Sequence, residues 1–101
     1  MFSQDLIITT YNSKPHCKTL VSQVKEFSYH YQKIIIVDDN SKDNTYDHLV
    51  SRLKNFKNIL ILRNKANMGP SFSRNLGVKH SRSDYVSFLD SDDIFCRKKS
   101  F

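Results

Sequence analysis

Short apolar runs alternate along the chain with longer stretches in which apolar residues recur every three or four positions. Each run has the length of a β-strand, and a β-branched composition is typical of strands covered on both faces in a parallel sheet. The predicted strands contain residues 6–8, 34–37, 59–62 and 85–89. The stretches between them predict three helices: one from about residue 14 to about residue 29, one beginning near Asn44 or Thr45, and one opened by Gly69 and Pro70.

This alternation predicts an α/β fold, a Rossmann-like and mostly parallel sheet with helices on both faces. A length of 101 residues suits one domain. In such sheets ligands bind outside the carboxyl ends of the strands, where the strand order reverses. Polar clusters follow three of the strands, so we expect them to share one edge of the sheet. They are Thr9-Thr10-Tyr11-Asn12, Asp38-Asp39-Asn40-Ser41 and Asp90-Ser91-Asp92-Asp93.

Short polar residues at the junctions between strands and helices predict caps and turns. Ser13 is expected to be the N-cap of the first helix, and Asp43 is expected to cap the second. Asp38 is expected to orient its loop and not to bind a ligand. Asn40 tolerates a left-handed backbone, so it can form the turn after the second strand.

The segment Asp90-Ser91-Asp92-Asp93 places three carboxylates within four positions. Two unit charges about 4 Å apart at an effective dielectric constant of about 20 repel each other by about 4 kcal/mol. A hard divalent cation relieves this repulsion, because Mg²⁺ and Mn²⁺ prefer carboxylate oxygens and share their other coordination positions with phosphates. We therefore interpret Asp90-Ser91-Asp92 as a metal and phosphate site. The alternative is a solvated loop or a helix N-cap, where Ser and Asp are both common.

The net charge of +6 is unevenly distributed along the chain. Lys and Arg are scattered, whereas eight of the ten acidic residues fall within residues 38–47 and 84–93. A dispersed positive background is typical of a solvated surface that favours anionic partners such as nucleotide phosphates or a membrane face. We therefore predict no nucleic-acid partner and leave a peripheral association with a membrane open.

The location of the protein is predicted from what the sequence lacks. No apolar run reaches the roughly 18 residues that cross a bilayer, and the amino end has none of the features of a secretory signal. We expect a cytoplasmic protein, with the inner face of the membrane left open. Cys17 and Cys96 form no metal-type pair, and a reducing compartment would keep both as thiols.

Several common ligand motifs are absent from the sequence. Gly69 and Gly77 are the only glycines, so the glycine-rich loops that hold dinucleotides or phosphates are missing. No His-x-x-x-His or Cys-x-x-Cys pair indicates zinc. The remaining polar groups suit a nucleoside diphosphate: Tyr11 can stack on a base, a carboxylate can accept a hydrogen bond from base or ribose, and a metal can bridge the phosphates.

Four segments resemble, in the same order, the amino-terminal half of family 2 glycosyltransferases, which have the GT-A fold. The segments are Ile7-Ile8-Thr9-Thr10-Tyr11-Asn12, residues 36–45, residues 67–77 and Phe88-Leu89-Asp90-Ser91-Asp92-Asp93. The resemblance covers nearly the whole chain. Thr10 and Asn40 depart from it, because proline and glycine are common at these two positions in the family.

The resemblance implies an enzyme that transfers a sugar from a nucleotide sugar, expected to be a UDP-sugar. The implied acceptor is a glycan or a lipid-linked molecule, as in polysaccharide assembly. Asp90-Ser91-Asp92 looks like the family's Asp-x-Asp motif. Asp90 would then lie near the ribose, and Asp92 would bind Mn²⁺ or Mg²⁺.

The resemblance also implies how the nucleoside is bound. Thr9 and Tyr11 would line the base pocket, and Asp39 would hydrogen-bond the uracil or its ribose. Arg74 would approach the nucleotide from the third helix. Two alternatives stay open: Tyr11 closes the first loop, and Arg74 forms a structural ion pair.

The family's acceptor site and catalytic base, an Asp or Glu, lie downstream of the Asp-x-Asp motif, and the sequence ends eight residues after Asp93. The catalytic base is therefore unassigned. We expect residues 1–101 to form the amino-terminal, nucleotide-sugar-binding part of a glycosyltransferase domain truncated after the fourth strand. Such a chain would bind a nucleotide and transfer sugar poorly or not at all. The alternatives are a non-catalytic nucleotide-binding module and a non-functional remnant of a truncated gene.

Overall fold

Four strands and three α-helices alternate in the computed structural model, which describes residues 3–91. They are β1 (Gln4–Thr10), α1 (Cys17–Phe27), β2 (Lys33–Asp38), α2 (Thr45–Leu53), β3 (Ile59–Arg63), α3 (Pro70–His80) and β4 (Tyr85–Asp90). Short 3-10 turns flank α1 at Lys14–His16 and Ser28–His30. The helix predicted over residues 14–29 is therefore a central α-helix with a tighter turn at each end.

All four strands are parallel and lie in the order β3-β2-β1-β4. The chain moves outward from β1 through β2 to β3. It then returns across the sheet through α3 and places β4 on the free side of β1. The strand order therefore reverses between β1 and β4, where a doubly wound sheet opens a crevice for ligands. The predicted α/β fold is confirmed.

Helices cover both faces of the sheet. Under α1 and α2, the fully buried strand residues Leu6, Ile8, Ile34 and Ile36 pack against helix residues such as Leu20, Val24, Leu49 and Leu53. The opposite face buries Ile7, Ile35 and Val37 beneath α3. Burial of one such side chain contributes about 1.5–3 kcal/mol. The hydrophobic effect therefore holds α3 across the central strands and fixes the position of its first turn at the carboxyl ends of the strands.

Gly77 allows α3 to approach β1 closely. A Cβ atom built at Gly77 would lie 2.5 Å from Cγ2 of Ile7, closer than carbon atoms pack. Glycine at this position therefore sets the distance between the helix and the sheet.

The junctions differ from the sequence prediction in two places. Ser13 occupies the position before the first 3-10 turn but makes no capping bond, and its hydroxyl lies 2.8 Å from that of Ser91. Asn44, with a positive φ of 69°, is the N-cap of α2. Asp43 instead accepts hydrogen bonds from the Thr45 and Lys14 N–H groups, so it ties α2 to the loop after β1.

Candidate functional site

A cavity of about 330 Å³ lies at the carboxyl ends of β1, β2 and β4, beside the first turn of α3. It is therefore located where the strand order reverses. Its walls come from every loop at that edge, and the lining residues include Thr9, Thr10, Tyr11, Asp39, Asn67, Gly69, Ser73, Asp90 and Ser91. The described parts of the polar clusters predicted to share one edge, which for the third cluster are Asp90 and Ser91, do so.

Asp38 forms the buried support beneath this edge. Its side chain is fully buried, and its carboxylate accepts hydrogen bonds from the Thr10 hydroxyl at 2.8 Å and from the Ser41 N–H at 2.8 Å. The Ser41 hydroxyl donates a further bond at 2.6 Å. Asp38 therefore orients its loop as predicted, and Thr10 joins this loop to β1.

The carboxylate of Asp39 holds the loop between β3 and α3 in place. Its Oδ1 accepts hydrogen bonds from the Met68 N–H at 2.7 Å and from the Asn64 amide at 2.9 Å, and its Oδ2 accepts one from the Gly69 N–H at 2.9 Å. Burial by itself would raise the pKa of Asp39, but the bonds from Met68, Asn64 and Gly69 outweigh it and lower the pKa below its ordinary value. Asp39 is therefore an anion on the cavity wall at neutral pH.

Asn64 is a member of the site that the sequence analysis did not select. It lies directly after β3, is 4% exposed, and connects Asp39 to Ser73 on α3. Asn64 could have been selected by its position in the sequence, because it follows a predicted strand, as the three polar clusters do. A single Asn after a strand is common in ordinary turns, and the sequence alone does not separate the two cases.

Asp90 borders the cavity from the end of β4. The Thr9 hydroxyl donates a hydrogen bond to Oδ1 of Asp90, and Nη1 of Arg74 lies 3.9 Å from the same oxygen. The carboxylate is 49% exposed and Arg74 is 36% exposed, so both remain accessible from the solvent. Arg74 is outside the cavity wall and reaches it through Asp90.

Ser91, the middle residue of the predicted Asp-x-Asp motif, is buried. It is 6% exposed, and its hydroxyl pairs with Ser13 in the loop after β1. This contact ties Ser91, directly after β4, to the loop that follows β1. Asp92 and Asp93 lie outside the described residues.

Tyr11 presents an aromatic surface at the cavity. Its side chain lines the cavity and is 46% exposed. The neighbouring Asn12 has a positive φ of 48°, and its N–H donates to the Ser41 hydroxyl, which fixes the loop that carries the ring. An exposed aromatic ring on a fixed loop can stack against a planar ligand.

The described residues do not by themselves form a metal site. Within residues 3–91, no group of three His, Cys, Asp or Glu side chains is close enough to hold a metal ion. Asp90 supplies a carboxylate at the cavity, and carboxylate oxygens suit Mg²⁺ and Mn²⁺. This fits a divalent ion that takes one or two carboxylates and completes its coordination with phosphate oxygens and water.

The sheet order and the carboxylate-lined cavity define an α/β domain of the kind that binds ligands where the strand order reverses. The family model described as "Glycosyl transferase family 2" matches residues 5–99. The chain belongs to this family of glycosyltransferases.

Curated relatives extend well beyond the matched region. An uncharacterized glycosyltransferase of Haemophilus influenzae is 28% identical, and the match covers 93% of this chain and 38% of the relative. The UDP-Glc:alpha-D-GlcNAc-diphosphoundecaprenol beta-1,3-glucosyltransferase WfaP of Escherichia coli is 33% identical, over 93% of this chain and 37% of the relative. The chain therefore spans a little over a third of the length of these two relatives.

Solved structures have a similar fold. TarS of S. aureus in complex with UDP-GlcNAc is 26% identical, with a TM-score of 0.76 over 97% of this chain and 30% of TarS. The mannosyltransferase PcManGT from Pyrobaculum calidifontis, in complex with GDP-Man and Mn²⁺, has a TM-score of 0.78 at 19% identity, over 90% of this chain and 28% of that protein. The GT-A type of the fold is confirmed.

Within the described residues, none of the helices has the length and apolar character needed to cross a membrane.

Proposed function

We propose that residues 1–101 form the nucleotide-sugar-binding part of a family 2 glycosyltransferase domain, and that the cavity holds the nucleotide of a UDP-sugar. The observation that carries this proposal is the cavity itself, where an exposed aromatic ring, a fixed anion and an acidic strand end meet. Complexes of TarS with UDP-GlcNAc and the name of the E. coli relative support uridine as the nucleoside.

In this proposal the wall formed by the ends of β1 and β2 and the loops that follow them binds the base. Tyr11 stacks on the uracil ring, and Thr9 lies beside it. Asp39 accepts a hydrogen bond from the base or its ribose, because its carboxylate is already ionised and held in place by backbone N–H groups. A charge-assisted bond of this kind is stronger than a bond between neutral groups.

The phosphates would lie toward the end of β4. Asp90 approaches the ribose, and Asp92 holds Mn²⁺ or Mg²⁺. When bound there, such an ion would supply positive charge to stabilise the diphosphate leaving group. Arg74 reaches the nucleotide from α3 past Asp90, and its positive charge favours the diphosphate.

Sugar transfer is proposed for the domain to which these residues contribute the donor site. The acceptor class we propose is a glycan or lipid-linked molecule, supported by the diphosphoundecaprenol substrate in the name of the E. coli relative. The catalytic base is left unassigned.

Calorimetric titration of the purified chain with UDP, with and without Mn²⁺, tests the proposal. We expect binding that depends on Mn²⁺ and that falls at least about tenfold in Asp92→Ala, because one charged ligand of the ion is lost. Asp47→Ala, which removes an exposed aspartate from α2, is the matched control and should bind as the wild type does. A cooperatively folded wild-type chain that binds no UDP contradicts the proposal.

A further inference from the structure

The amide of Asn64 joins the candidate base-binding carboxylate to helix α3. Its Nδ2 lies 2.9 Å from Oδ1 of Asp39 and 2.9 Å from Oγ of Ser73. All three side chains are buried, with exposures of 4% for Asn64, 6% for Asp39 and 0% for Ser73. The amide therefore bridges the end of β2 and the first turn of α3 from a position at the end of β3.

The orientation of this amide is fixed by chemistry. An ionised carboxylate only accepts hydrogen bonds, so the NH₂ group of Asn64 must face Asp39. Both of its hydrogens are then used, one by Asp39 and one by Ser73. The opposite atom, Oδ1 of Asn64, is buried and has no hydrogen-bond partner among residues 3–91.

The bond from Asn64 also determines which oxygen of Asp39 can accept a ligand. A carboxylate oxygen has about two lone-pair sites. Oδ1 fills both with the Asn64 amide and the Met68 N–H, whereas Oδ2 accepts one bond, from Gly69, among the described residues. The remaining site on Oδ2 belongs to a side chain that lines the cavity.

We propose that Asn64 is a positioning residue of the nucleoside site: it locks the rotation of the Asp39 carboxylate so that Oδ2 is presented to an N–H or O–H group of the bound nucleoside. This inference rests on the proposed function. Asn64 touches no ligand in this arrangement and acts through Asp39. Holding Asp39 in this orientation requires an amide donor at position 64. A side chain of the same volume without a donor would not hold it.

Two substitutions separate the effect of the Asn64 hydrogen-bond donors from the effect of its side-chain volume. Asn64→Leu keeps a similar size and removes both donors, and Asn64→Asp keeps the shape but turns a carboxylate toward Asp39. The matched control is Asn58→Leu, at the other end of β3, where the Asn58 amide donates to the Ser28 carbonyl at 3.0 Å. The control removes one structural amide bond far from the cavity.

The experiment measures two quantities in the full chain. The first is the dissociation constant for UDP in the presence of Mn²⁺. The second is the hydrogen-exchange rate of the Met68 and Gly69 N–H groups, which donate to Asp39. We expect both Asn64 variants to bind UDP about tenfold more weakly. We also expect the Met68 and Gly69 N–H groups to exchange faster, because an Asp39 carboxylate that can rotate accepts their hydrogen bonds less well. Asn58→Leu should change neither quantity.

Each outcome decides between the two proposals. If the wild type binds UDP and a folded Asn64 variant binds it equally well, the inference fails and the proposed function stands. Unchanged exchange at Met68 and Gly69 also overturns the inference, since Asn64 would then not position Asp39. If Asn64→Leu does not fold, Asn64→Asp and the same two readouts decide. A wild-type chain that binds no UDP overturns the proposed function and this inference with it.

Discussion

Two buried aspartates lie at opposite ends of the parallel strands, Asp5 at the amino ends and Asp39 at the carboxyl ends. They have different kinds of hydrogen-bond partners. Asp5, at the start of β1, is 1% exposed, and its two oxygens accept bonds from the Ser81 and Ser83 hydroxyls at 2.6 Å each. Asp39 is 6% exposed, and two of its three donors are backbone N–H groups in a loop that lines the cavity. The two side chains are similar in burial and differ in what they hold.

The difference shows how the same residue type serves the fold at one edge and a site at the other. Asp5 binds the connection between α3 and β4 to the start of β1, so its hydrogen bonds stabilise the fold. Asp39 shapes a loop around an empty space at the carboxyl ends, where parallel sheets bind ligands. Burial alone therefore does not separate a structural carboxylate from a candidate binding carboxylate. The two aspartates differ in their position along the strands and in the kind of donor.

The largest expected effect separates these two aspartates. Asp39→Ala and Asp5→Ala each remove the acceptor of at least two hydrogen bonds, most of them partly buried, so each should lower the free energy of unfolding by about 2 kcal/mol. Only Asp39→Ala should also weaken UDP binding, by about tenfold to a hundredfold, because a charge-assisted bond is worth about 1.5–3 kcal/mol. Urea denaturation and calorimetric titration of both variants measure the two effects. Equal losses of UDP affinity would remove the distinction between the two edges.

A second prediction concerns α3, which runs from the edge that holds Asp39 toward the edge that holds Asp5. Gly77→Ala places a methyl group 2.5 Å from Cγ2 of Ile7, so the helix or Ile7 must move. We expect the free energy of unfolding to fall by about 1–3 kcal/mol, the usual cost of overpacking a core. Urea denaturation measures this change, and Asn75→Ala on the exposed side of α3 is the control. An unchanged Gly77→Ala variant would show that the helix is not seated as described.

The smallest expected effect is a dependence of stability on pH. Hydrogen bonds lower the pKa of Asp39 and of Asp43 below their ordinary values against the opposing effect of burial. Each carboxylate therefore contributes stability above the ordinary pKa of an aspartate, about 3.9, and this contribution is lost as the pH falls through the lowered values. Urea denaturation between pH 6 and about pH 3 should show a shallower loss of stability in Asp39→Asn than in the wild type. Parallel curves would argue against an ionised, hydrogen-bonded Asp39.

The layout of the sheet could be predicted from local sequence patterns. The β-branched run at residues 34–37 predicted a doubly covered strand, and all four of its residues are fully buried. Asn40 was expected to tolerate a left-handed backbone, and its φ is 59°. Cys17, on the apolar side of the first predicted helix, is 1% exposed as a free thiol, with a pKa raised chiefly by that burial. Each of these features depends on residues close together in the chain.

Contacts between distant residues could not be predicted in the same way. Ser13 has the composition of a helix cap, yet its hydroxyl pairs with Ser91, 78 positions away. In the sequence Asn64 has the features of a turn residue. In the structure it contacts Asp39 at the end of β2 and Ser73 on α3. The assignments of Thr9, Tyr11, Asp39, Arg74, Asp90 and Asp92 to the nucleotide and metal remain predictions. The structure brings Thr9, Tyr11, Asp39 and Asp90 to one cavity, with Arg74 beside Asp90, and Asp92 lies outside the described residues.

The central pairing of β1 with β4 has a consequence for the order of folding. Residues that pair across these strands, such as Thr9 and Asp90, are 81 positions apart, whereas β1 and β2 pair residues 28 apart. Closing a longer loop costs more entropy, and non-local pairing slows folding. During synthesis, the β4 side of β1 therefore cannot pair until nearly all of the described chain has left the ribosome. Asp90 and Ser91, at the end of β4, line the cavity, so a chain in which β4 has not yet paired lacks part of the cavity wall.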